Sequence, residues 1–200
     1  TTIYARGRRL ESFKQNGLLY FKNKKIKKVK VNIIDKVEAN DIYDFVFLTV
    51  KSNQVHTALE ELKNNNSPNI VTMLNTLEKY NTWEEICGKG RIIPAFPGGG
   101  GSFEGNILNA KLTPSIIQAT TFGEINGGKS ERLLQLASIF KRSYIPYKIE
   151  KDMHAWQLCH LAMIVPISDA YYEAGVPEKA GEDRELMRKT AITIKKNLDS

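Results

Sequence analysis

Residues 44–54 read D-F-V-F-L-T-V-K-S-N-Q. The first part, residues 45–50, carries no charge and is rich in aromatic and β-branched side chains. Such a short apolar run reads as a strand buried on both faces, as in the middle of a parallel sheet. It stops abruptly at Lys51, Ser52, Asn53 and Gln54, and a helical pattern follows. Open α/β sheets bind ligands just beyond the carboxyl ends of their strands. A lysine and two amides at that point are placed as ligand contacts, although a solvated loop lysine fits the same pattern.

Downstream of this stretch the chain alternates. Residues 55–62 predict a helix with Ala58, Leu59 and Leu62 inward, and residues 69–74 (N-I-V-T-M-L) predict a buried strand ending in Asn75 and Thr76. A helix over 78–86 and a strand over 91–96 come next. Alternation of this kind implies right-handed crossovers and a mostly parallel sheet. The glycine run 98–101 lacks the Gly-Lys-Ser/Thr and helix start of a phosphate loop. It is expected to let the backbone pass close to a ligand at the sheet edge, or to be a flexible loop. Strands are expected over 113–121, 122–125 and 145–149, with a helix over 130–142. Beyond residue 150 only helical patterns remain, over 151–174 and 181–198, and Pro166 is expected to kink the first of them. Residues 1–150 therefore read as an α/β domain and 151–200 as the start of a helical one, with Trp156, Met163 and Ile164 assigned to its core.

Upstream, residues 2–5 predict a strand that runs into Arg6-Gly7-Arg8-Arg9 and a helical segment stopped by Asn16-Gly17. In dinucleotide-binding sheets an arginine at the end of the second strand grips the adenosine 2′-phosphate of NADP, where an acidic residue selects NAD. Three arginines with no carboxylate before Glu11 favour NADP if this is such a strand. They also sit badly at a helix N-terminus unless an anion is bound, because the helix dipole there already favours negative charge. Residues 18–34 predict a β-hairpin turning at Asn23-Lys24, with six lysines between Lys22 and Lys30. Lysines on an edge hairpin discourage edge-to-edge pairing, whereas a nucleic-acid reading would want arginines and stacking aromatics interleaved in a defined fold.

The 200 residues, 42% hydrophobic and 26% charged, describe an ordinary globular chain with room for a substantial core. The formal charge of +7 invites anionic partners without choosing among them. Two cysteines lack metal-ligand spacing, and no apolar run has membrane-spanning length. A cytoplasmic setting, with neither membrane nor nucleic acid as partner, is the expectation. The start without methionine, directly into a strand, and the end after a helix read as truncations of a longer protein.

With these pieces in place, the sequence resembles the ketopantoate reductases (2-dehydropantoate 2-reductases). The likeness rests on Arg6 at its strand end, on L-T-V-K-S-N-Q, on Asn75, and on W-Q-L-C-H-L-A-M-I-V-P at residues 156–166. The stretch F-P-G-G-G-G-S-F-E-G looks like a divergent subgroup. The resemblance implies a Rossmann-like domain beginning at the family's second strand, followed by a helical domain. It also implies NADP(H) as cofactor, a small 2-oxo acid as substrate, a place in pantothenate biosynthesis, and an assembly compatible with a homodimer. Arg6 would contact the 2′-phosphate, Lys51 and Gln54 would lie by the cofactor, and Asn75 would lie near nicotinamide and substrate. The family's glycine-rich first turn would precede Thr1, and its catalytic lysine aligns with Gln157. Glutamine can polarise a carbonyl but cannot deliver a proton to the developing alkoxide. His154 and His160 share its helix face and are candidate acids, or else ordinary polar helix residues. Two alternatives stay open: a reductase of a different substrate, and a catalytically silent nucleotide-binding or regulatory module.

Overall fold

The computed structural model describes residues 1–199. The chain opens with β1 (Thr2–Tyr4), α1 (Gly7–Asn16), the hairpin β2 (Leu18–Lys22) and β3 (Lys25–Val29), and β4 (Asn32–Ile34). It continues through β5 (Val46–Leu48), a 3₁₀ turn (Ser52–Gln54), α2 (Val55–Leu62), β6 (Ile70–Met73), α3 (Tyr80–Cys87) and β7 (Ile92–Phe96). A second hairpin, β8 (Gly99–Glu104) and β9 (Ile107–Leu112), precedes the short helix α4 (Ser115–Gln118), β10 (Thr120–Phe122), α5 (Glu131–Arg142) and β11 (Tyr147–Ile149). Three helices close it: α6 (Met153–Ala174), α7 (Pro177–Glu182) and α8 (Arg184–Asp199).

The main sheet has the order β11-β10-β7-β6-β5, parallel except where β10 runs against β7. Its strands alternate as a three-layer α/β sandwich requires. Ile70, Ile92 and Leu48 face one core with Leu59 and Leu62 of α2, Trp83 of α3 and Met153 at the foot of α6. Val71, Ile93 and Ala95 face the other, with Leu133, Leu136 and Phe140 of α5. Period-two alternation over a central strand puts successive residues into opposite cores.

The strand at the centre of the sequence reading is shorter and less buried than its composition predicts. β5 is an edge strand of this sheet, and Phe47 is 41% exposed. Its outer edge borders a cleft of about 470 Å³, lined across the way by Thr1, Thr2 and Tyr4. No described strand pairs with that edge. The hairpin was expected to run to residue 34, but residues 32–34 leave it and pair in parallel with β1, making a separate two-stranded sheet. The turn at Asn23 and Lys24 holds as expected, both residues at positive φ.

The glycine run corrects another expectation. It is not a flexible loop: Gly99–Gly101 open the strand β8, paired antiparallel with β9, and Gly98, Gly99 and Gly100 border a pocket. The β9 hairpin also joins β2, giving a third sheet of order β3-β2-β9-β8. Its glycines are needed against the chain's own backbone. A Cβ on Gly98 would stand 2.3 Å from the Thr120 amide nitrogen, and one on Gly101 would stand 2.4 Å from the Asn109 carbonyl oxygen. At Gly100 a Cβ meets no described atom within 4 Å. Gly98→Ala should therefore cost about 1–3 kcal/mol by overpacking, while Gly100→Ala leaves the urea midpoint nearly unchanged. Equal midpoints for the two variants would contradict the packing.

Smaller differences follow from local chemistry. Residues 113–119 hold α4 instead of a strand, started by Pro114, which supplies no amide hydrogen. The last predicted helix breaks at Asp183, whose carboxylate accepts from the Glu185 and Leu186 amides and starts α8 afresh. Met163, assigned to the core, is 42% exposed. Pro166 cannot donate to the Ala162 carbonyl; Asn197 Nδ2 of α8 donates to it instead at 3.3 Å. Among the described residues no helix is long and apolar enough to cross a membrane.

Candidate functional site

The two ends of the main sheet differ chemically. At the amino ends, charges are tied into structure. Arg91 donates to the carbonyls of Leu62, Asn65, Ser67 and Cys87. Arg132 pairs with the buried Glu124 and donates to the carbonyl oxygens of Gly90 and Ile92. Burial pulls the Glu124 carboxyl up, but Arg132 and Ser130 outweigh it and hold it below the ordinary carboxylate range. At the carboxyl ends of β5 and β6 stand Lys51, Ser52, Asn53, Gln54, Asn75 and Thr76, and Arg6 stands after β1 of the neighbouring two-stranded sheet.

Two of the residues assigned to the cofactor meet there. Arg6, directly after β1 and its following alanine, and Gln54, at the start of α2, line one pocket of about 290 Å³. Tyr4, Val50, Asn53, Thr57, Ala58 and Glu61 complete its wall. Lys51 is exposed in the loop after β5 and belongs to that rim by position, without lining the pocket.

Arg6 is not free. Its guanidinium Nη2 donates to Glu61 Oε2 at 2.5 Å and lies over the Tyr4 ring, 5.0 Å from its centroid. The Tyr4 hydroxyl donates to the same carboxylate oxygen at 3.1 Å. Arg6 also borders a second pocket, of about 520 Å³, with Arg8, Arg9, Gly105 and Asn106. Arg9 is held there over Phe103, 3.6 Å from the ring centroid. Sequence reading missed Tyr4 and Glu61. The signal was present: Thr57, Ala58 and Glu61 are three and four residues apart, so α2 presents them on one face.

The second group gathers where α6 crosses the ends of β6 and β7. Gln157 is only 2% exposed. Its Nε2 donates to the carbonyls of Leu74 at 2.9 Å and Ala95 at 3.4 Å, and its Oε1 accepts the Tyr80 hydroxyl at 3.0 Å. Burial, with the Asp152 charge nearby, pushes the Tyr80 phenol up, so it remains a neutral donor. Gln157 thus latches the helix to the sheet through a saturated set of hydrogen bonds. Asn75 follows β6 at this point, half-buried, with a buried Oδ1 that accepts no hydrogen bond among the described residues.

The histidines diverge. His154 packs edge-on to Tyr80, ring centroids 5.8 Å apart, with its Nε2 buried and unpartnered among the described residues. His160 stacks on Trp156 at 5.1 Å and touches the Phe96 ring at the end of β7, centroids 4.4 Å apart. Burial pulls its pKa below the usual imidazole value. The two thus meet different elements: His154 the start of α3, and His160 the end of β7. Among the described residues no cluster of histidine, cysteine or carboxylate could hold a metal ion.

Comparison with solved structures agrees with this architecture. The fold is similar to that of a protein described as a ketopantoate reductase from Ralstonia solanacearum MolK2, with a TM-score of 0.79 at 13% identity, covering 98% of this chain and 67% of that one. It is similar to 2-dehydropantoate 2-reductase from Porphyromonas gingivalis W83 (TM-score 0.73, 14% identity, 99% of this chain and 76% of that one). D-mandelate dehydrogenase, solved with NADH and anilino(oxo)acetate, matches at a TM-score of 0.66 and 18% identity over 87% of this chain and 58% of its own. The chain thus spans between 58% and 76% of the length of these three proteins. At such identities the likeness speaks for the fold alone. No curated protein matches the sequence. The family model of ketopantoate reductase PanE/ApbA matches residues 1–128, well over half of the chain, and the chain belongs to that family.

Proposed function

We propose that this chain carries the cofactor and substrate rim of an NADPH-dependent reductase of a small 2-oxo acid. The observation that carries the reading is the pocket shared by Arg6 and Gln54. It lies where dinucleotides bind in open α/β sheets, at strand carboxyl ends, and it holds the cation that a 2′-phosphate needs. Residues 1–150 would be the cofactor domain and 151–200 the start of the helical one. The cleft between β1 and β5 would seat one further strand, and with it the glycine-rich turn for the pyrophosphate. Lys51 and Gln54 would touch the cofactor, and Asn75 the nicotinamide or substrate. A cytoplasmic setting and a homodimer belong to the same reading.

The hydride comes from the cofactor, so this chain's residues must position the ketone and supply a proton. Gln157 does not suit the second task, because every hydrogen-bonding position used by its amide points into the fold. Of the two histidines, His160 is the better acid: it lies against the end of β7, whereas His154 has its Nε2 buried. A general acid acts in its protonated form. Activity should therefore be flat at low pH and fall as pH rises through the His160 pKa, which burial places below about 6.5. The test is loss of reduced-nicotinamide absorbance with ketopantoate and other 2-oxo acids, across pH, for wild type and His160→Gln. A descending limb that vanishes in His160→Gln supports the assignment; an identical limb in both removes His160 as the donor.

The saturated bonding of Gln157 also favours a second reading, a nucleotide-binding module without turnover. Binding of NADPH with no oxidation by any 2-oxo acid at any pH would select it.

A further inference from the structure

We propose that Glu61 sets the cofactor preference of this pocket, by competing with the adenosine 2′-phosphate for Arg6. This rests on the reading of the Arg6–Gln54 pocket as the adenosine seat. Arg6 stands between two cavities of opposite character. On one side Glu61 and Tyr4 hold its guanidinium, and on the other lie Arg8, Arg9, Gly105 and Asn106.

A phosphate entering this region is repelled by Glu61 and attracted by the arginines. It can be gripped only if Arg6 exchanges the carboxylate for the phosphate, so part of the phosphate's binding energy goes into breaking an existing ion pair. A cofactor with a free 2′-hydroxyl meets the opposite situation. Its hydroxyl can donate to the Glu61 carboxylate, as an acidic residue does in NAD-selective sheets, while Arg6 stays where it is. The pocket therefore contains both selectors, and Glu61 narrows the advantage that Arg6 alone would give to the phosphorylated cofactor. Tyr4 keeps the carboxylate oriented through its hydroxyl.

The experiment is equilibrium titration of wild type and Glu61→Gln with NADPH, NADH, adenosine 2′,5′-bisphosphate and adenosine 5′-monophosphate. The two smaller nucleotides probe the adenosine seat without needing the pyrophosphate turn. Glutamine keeps the side-chain shape and can still accept from Tyr4, and a matching unfolding midpoint checks that the fold is intact. In Glu61→Gln the two 2′-phosphorylated probes should bind about three- to tenfold more tightly, the range of a single exposed charge pair to a modest coupling. NADH and adenosine 5′-monophosphate should bind equally or more weakly. A change of the same size and sign for all four probes would overturn the role of Glu61 while leaving the pocket as a nucleotide site. Failure of wild type to bind any of the four would overturn the cofactor reading itself, and this assignment with it.

Discussion

Gln157→Leu should lower stability by about 2–4 kcal/mol, because two backbone carbonyls and the Tyr80 hydroxyl lose their partner in a buried place. Leucine is similar in volume, so the loss is chiefly one of hydrogen bonds and not of packing. Gln157→Lys should be destabilising too. An ammonium at a position 2% exposed must be desolvated, and its acceptors are neutral. The lysine variant should recover stability as pH rises, since deprotonation removes the buried charge. Tyr80→Phe should cost less than Gln157→Leu, and the two together less than their sum, since they share one hydrogen bond. Urea midpoints of the four proteins give the answer. A wild-type midpoint for Gln157→Leu, combined with a large fall in turnover, would instead make Gln157 a group at the reacting centre.

Arg6→Ala should weaken NADPH binding about ten- to a hundredfold, the worth of a charge-assisted contact, and leave NADH within about threefold. The residue is exposed and its pair with Glu61 is a surface pair, so the fold should tolerate the change. The effect should shrink with added salt, because the contact is electrostatic and open to solvent. Equal weakening of both cofactors would mean that Arg6 shapes the pocket without reading the 2′-phosphate. Arg8→Ala and Arg9→Ala should be milder. Arg9 in particular is engaged by the Phe103 ring.

Much of this could be read from residues alone, and the failures share a cause. Where one short segment carries its own signal, the reading holds. The apolar runs at 69–74 and 91–96 marked the strands β6 and β7, and the helix expected over 130–142 is α5. Where the answer depends on which segments pair, it fails. The composition of residues 45–50 suits a central strand, yet their neighbours make β5 an edge. Residues 32–34 look like the end of a hairpin, but parallel pairing with β1 is non-local and leaves no local mark. The glycine run was expected to be a loop or a ligand approach, and its pairing as β8, with Gly98 crowded by Thr120 twenty-two residues on, left no local mark. The site shows the same division. Arg6 and Gln54 were singled out because strand ends locate ligands, and the structure brings them to one pocket. Helix spacing put Glu61 on the same face as Thr57 and Ala58, but its pairing with Arg6 and Tyr4, like the latch of Gln157 to Tyr80, needs a contact between elements remote in sequence.

A nucleotide cofactor should occupy the carboxyl-end rim between β1 and α2. Hydrogen–deuterium exchange with and without NADPH tests it directly, because amides that line a ligand lose exchange when it binds. Residues 4–9 and 50–61 should be protected, with a smaller effect at the Asn75 turn and none in the β2–β3 hairpin. Protection confined to the lysine-rich hairpin would show NADPH acting as a bulk anion on a basic surface, and that result would contradict the account.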